Sequence, residues 1–184
     1  MTNNILFWSR YKGNKKFTTP LISSKFYRRF KKNSEILDLG CGYGRVSNHL
    51  WGKGFKKITG VDPSRALIKA AKEKIDKRVK FIVGTVDDLP RKKYDVIIIC
   101  AVIEYLFSKR EREKFVNKIY NYLNPGGYVY LETFVRDGQY NHMYDKVGEK
   151  RRSYGILFLK NEKIFIFHDT PGGVDGLFGS FKKI

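Results

Sequence analysis

The chain has 184 residues, of which 42% are hydrophobic, and this combination predicts one domain with a real core and excludes disorder throughout. Lys and Arg number 37 against 18 Asp and Glu, a net charge of +19, so RNA, DNA and acidic membranes must be considered as partners. A heat-adapted or AT-rich source would explain the same charge, because a single glutamine stands among abundant Lys, Ile, Tyr and Phe.

Cysteine content and hydrophobic runs bear on the compartment. Cys41 and Cys100 are the two cysteines of the chain and offer neither a metal-ligand spacing nor a disulfide framework, so we expect no metal and a reduced, cytoplasmic setting. The apolar run at 5–8 is too short for a signal-peptide core, and no run approaches the roughly 18 residues of a membrane span. We therefore expect no membrane partner.

Two segments precede the first predicted strand. Residues 1–19 mix aromatic side chains and lysines with no sustained period, which predicts a partly ordered arm. In residues 20–32 apolar side chains recur at helical spacing, and Pro20 suits a first helical turn. This second segment therefore predicts a lead-in helix.

A short buried strand is predicted at residues 35–39, and glycines follow it at every second position, namely Gly40, Gly42 and Gly44. Glycine permits a tight turn and close approach of the backbone to a ligand. A helical pattern begins at Val46. Because open α/β sheets bind ligands at the carboxyl ends of their strands, this stretch predicts a ligand-binding turn.

Residues beside the glycines indicate the kind of ligand. Arg45 stands where a dinucleotide fingerprint needs its third glycine, and no Gly-Lys-Ser/Thr follows to make a phosphate loop. Asp38 would repel a pyrophosphate but suits a ligand that presents an ammonium group. S-adenosylmethionine meets this requirement, since it carries an ammonium and a sulfonium and no phosphate.

The segment Asp38-Leu39-Gly40-Cys41-Gly42-Tyr43-Gly44 resembles motif I of the class I S-adenosylmethionine-dependent methyltransferases. On this resemblance, S-adenosylmethionine is the expected cofactor. The resemblance implies that the turn contacts it through Asp38, Gly40, Cys41, Gly42 and Gly44. A glycine turn that binds no ligand remains the alternative on this motif alone.

The second predicted strand, residues 57–61, ends at another acidic residue. Asp62 lies 18 residues past Gly44, where a carboxylate can accept hydrogen bonds from both ribose hydroxyls of an adenosine. The family resemblance thus makes Asp62 and Pro63 cofactor-binding. Helix capping is the alternative, because Asp62, Pro63 and Ser64 also form a good helix start.

After a third predicted strand at 79–83, the segment 84–90 resembles motif III of the family, where an acidic side chain and backbone N–H groups hold the adenine. Thr85 occupies the usual aspartate position. The adenine amino group would then meet Thr85, Asp87 or a backbone carbonyl. We expect Asp87, with Val86 beside it, and a solvated turn carboxylate is the alternative.

The fourth predicted strand, residues 94–100, is a β-branched run suited to burial on both faces. With its continuation at 101–106 it resembles motif IV, which implies that Cys100 lies beside the cofactor. An amphipathic helix is predicted at 108–123, with residues 110–114 facing solvent. A fifth strand is predicted at 128–134.

Strands alternating with helices predict a doubly wound, Rossmann-like parallel sheet with helices on both faces. Two apolar runs, 155–160 and 163–167, predict an antiparallel hairpin near the C-terminus. Either this hairpin takes the place of the one that closes the usual seven-stranded methyltransferase sheet, or the sheet is a shortened form of it. From Pro171 onward a glycine-interrupted pattern predicts a marginal helix.

We predict a single domain over residues 1–184. It comprises an arm or lid at 1–19, a cofactor-binding core at 20–135, and an acceptor-side loop, hairpin and C-terminal segment at 136–184. In several small-molecule methyltransferases an arm bearing Trp and Tyr lies across the cofactor, and Trp8-Ser9-Arg10-Tyr11 is similar to it. An arm that only packs on the domain is the alternative.

Motifs that the chain lacks narrow the acceptor. The segment Cys100-Ala101-Val102-Ile103 replaces the Asn/Asp-Pro-Pro-Tyr/Phe of amino-methylating DNA enzymes. It also lacks the Pro-Cys or Thr-Cys nucleophile of cytosine enzymes and the strand-four aspartate of the ribose-methylating tetrad. The expected activity is therefore methyl transfer to a small-molecule acceptor.

Transfer by in-line displacement requires no universal catalytic residue. A base helps if the acceptor is a hydroxyl or a protonated amine. The candidates are Tyr140, His142 and Tyr144. The alternative for each is that it is only a packing or surface residue. Two other functions stay open: an RNA- or protein-modifying methyltransferase, and an inactive cofactor-binding activator subunit.

Nucleic acid is a possible but not a favoured partner. Lysines are distributed along the whole chain, and the binding edge of the sheet carries Asp38, Asp62, Asp87 and Asp88. We therefore expect a locally acidic edge and only weak, nonspecific nucleic-acid binding that does not compete with the cofactor.

Overall fold

The computed structural model describes residues 3–11, 22–136, 156–159 and 164–182. None of the helices in these segments is long and apolar enough to cross a membrane. The division of the chain into arm, core and acceptor-side segment stays a prediction.

A parallel sheet of five strands forms the centre of the molecule, in the order β3-β2-β1-β4-β5. This order confirms the predicted doubly wound fold. The strands are β1 (Glu35–Leu39), β2 (Lys57–Asp62), β3 (Lys80–Val83), β4 (Tyr94–Cys100) and β5 (Leu123–Glu132).

The helices, numbered in chain order, are α1 (Asn3–Arg10), α2 (Ser24–Tyr27), α3 (Arg45–Gly52), α4 (Arg65–Lys74), α5 (Lys109–Tyr122) and α6 (Pro171–Leu177). Single 3-10 turns follow β3 and β4, at Val86–Asp88 and Ile103–Tyr105.

β1 lies at the point where the strand order reverses. Its Asp38 is in register with Gly60 of β2 on one side and with Ile98 of β4 on the other. A crevice opens at such a point outside the carboxyl ends of the strands. The fold therefore brings the ends of β1, β2 and β4 together.

The two faces of the sheet bury separate cores. Ile36 and Ile98 lie with Leu50 of α3 in one cluster, whereas Leu37 and Ile97 lie with α5 in the other. Alternate residues of a strand point to opposite faces, so a continuous apolar run is the pattern that a strand covered on both sides requires.

The prediction that residues 110–114 face solvent is wrong for Arg112. Arg112 is 7% exposed, and its Nη1 donates to the carbonyl oxygens of Leu106 and Phe107, each at 2.9 Å. Its Nε lies 3.6 Å from Oδ2 of Asp169, and its guanidinium carbon lies 4.0 Å above the ring centroid of Phe167. Arg112 therefore joins α5 to the segment after the C-terminal hairpin.

β5 begins earlier than predicted. Leu123 pairs with Tyr94, and the register then shifts before Val96 pairs with Tyr128. The intervening residues bulge, and Gly126 adopts a left-handed φ of 75°. The strand thus includes the connection that the sequence analysis placed before it.

The N-terminal segments differ from expectation. A helix occupies residues 3–10, where no sustained period was found, whereas the lead-in helix is limited to Ser24–Tyr27 within the described residues. Aromatic packing holds this short helix and the residues that follow it. Phe26 lies 4.9 Å from Tyr130 and Phe30 lies 5.0 Å from Phe55, between ring centroids.

The predicted antiparallel hairpin consists of β6 (Ile156–Leu159) and β7 (Ile164–Phe167). These strands form a two-stranded sheet of their own in the described structure. A bridge between Val135 and Asp169 connects the region after β5 to the region after β7. The five-stranded sheet is therefore the shortened form.

Candidate cofactor-binding site

A cavity of about 540 Å³ opens at the carboxyl ends of the central strands. Eight of the predicted cofactor-binding residues line it: Asp38, Gly40, Cys41, Asp62, Pro63, Val86, Asp87 and Cys100. The described wall does not include Gly42 or Gly44.

Asp38 lies at the end of β1 and is 2% exposed. Its Oδ2 accepts hydrogen bonds from the backbone N–H and the hydroxyl of Ser47, at 3.0 and 2.6 Å. Burial raises the pKa of Asp38 to about 6; the bonds from Ser47 oppose this shift and the charge of Asp62 adds to it. A cation that binds beside Asp38 would favour its ionised form.

Gly40 and Gly44 have different tasks in the turn. Gly40 has a φ of 75°, and a Cβ there would lie 2.4 Å from Cγ2 of Val102, so glycine lets the segment after β4 approach. Gly44 has a φ of 80°, and its Cβ would lie 2.3 Å from Cδ1 of Ile75. Gly44 therefore serves the packing of α3 rather than the cavity wall.

Asp62 connects two turns through its carboxylate. Its Oδ2 accepts from the backbone N–H of Gly42 at 2.9 Å, and its Oδ1 accepts from that of Ser64 at 2.8 Å. Burial raises the pKa of Asp62 despite these two bonds. Each oxygen keeps a further lone pair for a ligand hydroxyl.

Ser64 supplies the side-chain cap of α4, because its Oγ accepts from the backbone N–H of Leu67 at 3.3 Å. Asp62 therefore supports the helix start without being its cap. The ribose-binding role of Asp62 stays a prediction.

The segment after β3 forms one end of the cavity. Thr85 begins the 3-10 turn, since its Oγ1 accepts from the backbone N–H of Asp87 at 3.2 Å and its own N–H donates to Asp88 at 2.8 Å. The Asp87 carboxylate pairs with the ammonium of Lys118 on α5. A cofactor adenine would therefore share Asp87 with Lys118, a partner from a distant part of the chain.

The end of β4 carries an unusual backbone. Ala101 has a φ of 53°, which costs about 1 kcal/mol or more in a residue with a side chain. Its N–H donates to the carbonyl of Glu132 at 2.9 Å. This conformation turns the chain so that Cys100, Ala101 and Val102 all line the cavity.

Both cysteines are unsuited to nucleophilic roles. Burial and the carboxylate of Asp38 raise the pKa of the Cys41 thiol and that of the Cys100 thiol. A thiol needs a lowered pKa to react as the thiolate. Cys41 and Cys100 therefore act as small wall residues.

Helix α1 contributes a wall residue, Trp8. It is 9% exposed, and its ring lies 5.3 Å from that of Tyr105 in an edge-on contact and 5.2 Å from that of Tyr11. The hydroxyl of Ser64 donates to the Tyr11 carbonyl at 3.2 Å. The N-terminal segment therefore closes one side of the cavity.

Several wall residues were not predicted as site residues. Helix α5 brings charged side chains and Phe115 to the cavity, although its spacing predicts only which face is apolar. The charged residues of the wall are Asp38, Asp62, Asp87, Glu111, Arg45, Lys114 and Lys118. Three cations thus stand against four carboxylates, so the wall is less acidic than expected.

The catalytic candidates Tyr140, His142 and Tyr144 lie outside the described residues. Within the described segments no group of three or more His, Cys, Asp or Glu is placed to hold a metal ion.

The cavity, the glycine turn and the strand order together define a Rossmann-like fold of the methyltransferase type. Residues 36–127 match the family model described as a methyltransferase domain. The chain belongs to this methyltransferase domain family, which confirms the resemblance seen in the motifs.

A solved structure with this fold is a SAM-dependent methyltransferase from Methanosarcina mazei. It is 20% identical, with a TM-score of 0.77, over 88% of this chain and 84% of that one.

Curated relatives include the malonyl-[acyl-carrier protein] O-methyltransferase of Priestia megaterium, 30% identical over 74% of this chain and 50% of the relative. Another is the tRNA U34 carboxymethyltransferase of Pseudoalteromonas atlantica, 32% identical over 60% of this chain and 35% of the relative. The chain thus spans half or less of the length of these two relatives.

Proposed function

We propose that this chain binds S-adenosylmethionine in the cavity and transfers its methyl group to a small-molecule acceptor. The observation that carries the proposal is the placement of Asp38 and Asp62 in one cavity of about 540 Å³ at the reversal point of the sheet. A volume of this order lies within the range of small-molecule sites.

The residues present fit the cofactor chemically. Asp38 offers a buried carboxylate to the ammonium group, and Gly40 lies in the wall beside it without a side chain that could enter the cavity. Asp62 offers acceptor lone pairs to the ribose hydroxyls. Between them the wall is apolar, with Leu39 and Val61 among its members.

When bound, S-adenosylmethionine supplies an activated methyl group for a single in-line displacement. The part of the chain is to position the acceptor on the line through methyl and sulfur and to exclude water. The strained turn at Ala101 and its neighbours Cys100 and Val102 is the wall proposed to border the acceptor. If the acceptor needs a base, we propose Tyr140, His142 or Tyr144 for this role.

Enclosure by the N-terminal helix favours a small acceptor. Trp8, Tyr105 and Leu106 form adjacent parts of the wall, and the contact between Trp8 and Tyr105 restricts the opening on that side. The relative from Priestia megaterium is named for a malonyl acceptor and that from Pseudoalteromonas atlantica for tRNA, so an RNA acceptor is the second candidate.

Calorimetry with S-adenosylhomocysteine tests the first half of the proposal. We expect micromolar binding, on the order of −8 kcal/mol. Absence of binding at millimolar ligand would refute the assignment of the cofactor to this chain.

Release of S-adenosylhomocysteine with pooled small hydroxyl, carboxyl and amine compounds, against release with bulk RNA, tests the second half. Turnover with RNA alone would favour the second candidate. Cofactor binding without turnover on either pool would favour an inactive activator subunit.

A further inference from the structure

The end of the sheet opposite the cavity is strongly basic. Five strands begin there; β5 follows α5 directly, and four connections lead into the others: residues 31–34 before β1, 53–57 into β2, 75–80 into β3 and 90–93 before β4. Each contains at least two Lys or Arg, and together they contain one acidic residue, Asp76. We call this surface the amino-end face.

Acidic side chains at this end are engaged within the protein. Asp76 pairs with Arg78 at 2.8 Å, and Glu35 pairs with Lys57 at 3.6 Å and with Lys92 at 2.5 Å. Helices α3 and α4 also end here, and the dipole of each adds the equivalent of only about half a negative charge. The face therefore keeps a large excess of positive charge.

Aromatic rings hold some of these cations in place. Lys56 Nζ lies 4.0 Å and Arg78 Cζ lies 4.8 Å from the ring centroid of Trp51. The Trp51 ring thus contacts both the connection 53–57 and the connection 75–80. Lys32 Nζ lies 4.1 Å from the ring centroid of Phe55. Cations that are already positioned lose less conformational freedom when an anion binds.

We propose that the amino-end face binds the phosphate backbone of RNA. Adjacent strands lie about 4.8 Å apart, so four neighbouring strand starts set the cations in a row of roughly 15 Å. Such a row matches a linear polyanion better than a single phosphate. Because the face lies at the opposite end of the strands from the cavity, the proposal does not depend on methyl transfer, and RNA and cofactor bind independently.

An acidic membrane fits the same charge less well. Binding to a lipid surface gains from apolar side chains that enter it. Among the described residues, the exposed large hydrophobic side chains are Val83, Tyr120 and Phe134, and none belongs to the four connections. The face is thus charged without an apolar anchor.

Fluorescence anisotropy with a labelled oligouridylate of about 20 nucleotides, longer than a typical site, tests the proposal. Contacts from four connections predict a log–log salt slope of about −3 between about 50 and 200 mM salt. The combined variant Lys56→Glu, Lys77→Glu and Lys93→Glu should lose affinity by about tenfold or more. Saturating S-adenosylhomocysteine should leave the affinity unchanged.

A matched control carries the same change of charge at the other end of the strands. Arg65→Glu, Lys109→Glu and Arg110→Glu alter exposed positions in the first turns of α4 and α5, and this variant should lose less than about threefold. Thermal melting verifies that both variants are folded. If the reversal variant does not fold, the corresponding Lys→Gln variant replaces it, with Gln in the control as well.

Three outcomes would overturn the proposal. The first is no binding of wild-type protein to the oligouridylate at low salt. The second is an equal loss of affinity in both variants, because RNA binding would then follow the net charge of the protein and not the amino-end face. The third is binding to vesicles containing anionic lipid that is as tight as RNA binding at the same salt and is lost in the same variant, which would make the face a membrane surface.

Discussion

Replacing Asp62 by alanine separates its two proposed roles. In the free protein its carboxylate accepts from Gly42 and Ser64 at 2.9 and 2.8 Å, so Asp62→Ala leaves two buried N–H groups without their acceptor. Each such loss costs about 1–3 kcal/mol, so the two together should destabilise the folded state by roughly 2–6 kcal/mol. The bound ribose would lose a charged acceptor as well.

Loss of the ribose contacts should weaken S-adenosylhomocysteine by about 1–3 kcal/mol, which is roughly 5- to 150-fold in Kd. The matched variant is Ser64→Ala, which removes the cap of α4 in the same turn but leaves the carboxylate. It should lose about 1 kcal/mol of stability and little affinity.

Chemical denaturation gives the stability of each variant, and calorimetry below the unfolding transition gives the affinity. The ribose assignment fails if Asp62→Ala binds S-adenosylhomocysteine within about twofold of wild type while it is fully folded. It also fails if Ser64→Ala loses as much affinity as Asp62→Ala, because the defect would then follow the turn and not the carboxylate.

Three further perturbations address other parts of the cavity. The folded-state pKa of Asp38, about 6, exceeds its ordinary value of 3.8. Protonated Asp38 therefore contributes roughly 3 kcal/mol to the stability of the ligand-free chain. This contribution is fully present below pH 3.8 and is lost as the pH rises through about 6. Conversely, affinity for S-adenosylhomocysteine should rise about tenfold from pH 5 to 7. Calorimetry should find a flat profile in Asp38→Asn, and a flat wild-type profile would contradict the ammonium role. Gly40→Ala places a Cβ 2.4 Å from Val102 and should abolish measurable binding, whereas Gly52→Ala, with no atom within 4 Å, should bind normally; equal binding would argue against a tight cradle. Trp8→Ala should speed dissociation of S-adenosylhomocysteine about fivefold in stopped-flow measurements while Trp8→Phe changes it less, and identical rates in all three proteins would mean that α1 only packs on the domain.

The strands could be predicted from the sequence because their signal is local. β1 and β4 coincide with the mainly apolar runs at 35–39 and 94–100, since a strand buried on both faces needs side chains that are mostly apolar. Helix α1 has no such pattern. Its buried residue Trp8 packs on Tyr105, nearly a hundred residues away in the chain, and such distant contacts leave no local period.

The candidate site was predictable to the extent that its residues follow strand ends. Asp38, Asp62 and Cys100 line the cavity for that reason. Glycines at a tight turn look alike in sequence, so the packing task of Gly44 could not be distinguished from a ligand contact. Lys118 comes to Asp87 from another element, and only the packing of α5 brings the two together.

The distribution of lysines shows the same effect on a larger scale. Along the chain they are scattered, but connections that enter parallel strands all lie at one end of a sheet. Four separate basic segments therefore become one surface, as the row from 75–80 to 90–93 shows. Counting charges along the sequence does not show that these four segments lie side by side in the fold.

Arg112 sets a limit on how this chain can be dissected. Its side chain joins the wall of the cavity at Leu106 to Asp169 beyond the hairpin. A fragment that ended before Asp169 would leave a buried guanidinium without its carboxylate, at a cost of about 3 kcal/mol. Fragments made for crystallography should therefore keep residue 169. If the segment 136–184 is exchanged for that of another methyltransferase, the new segment should place a carboxylate beside Arg112.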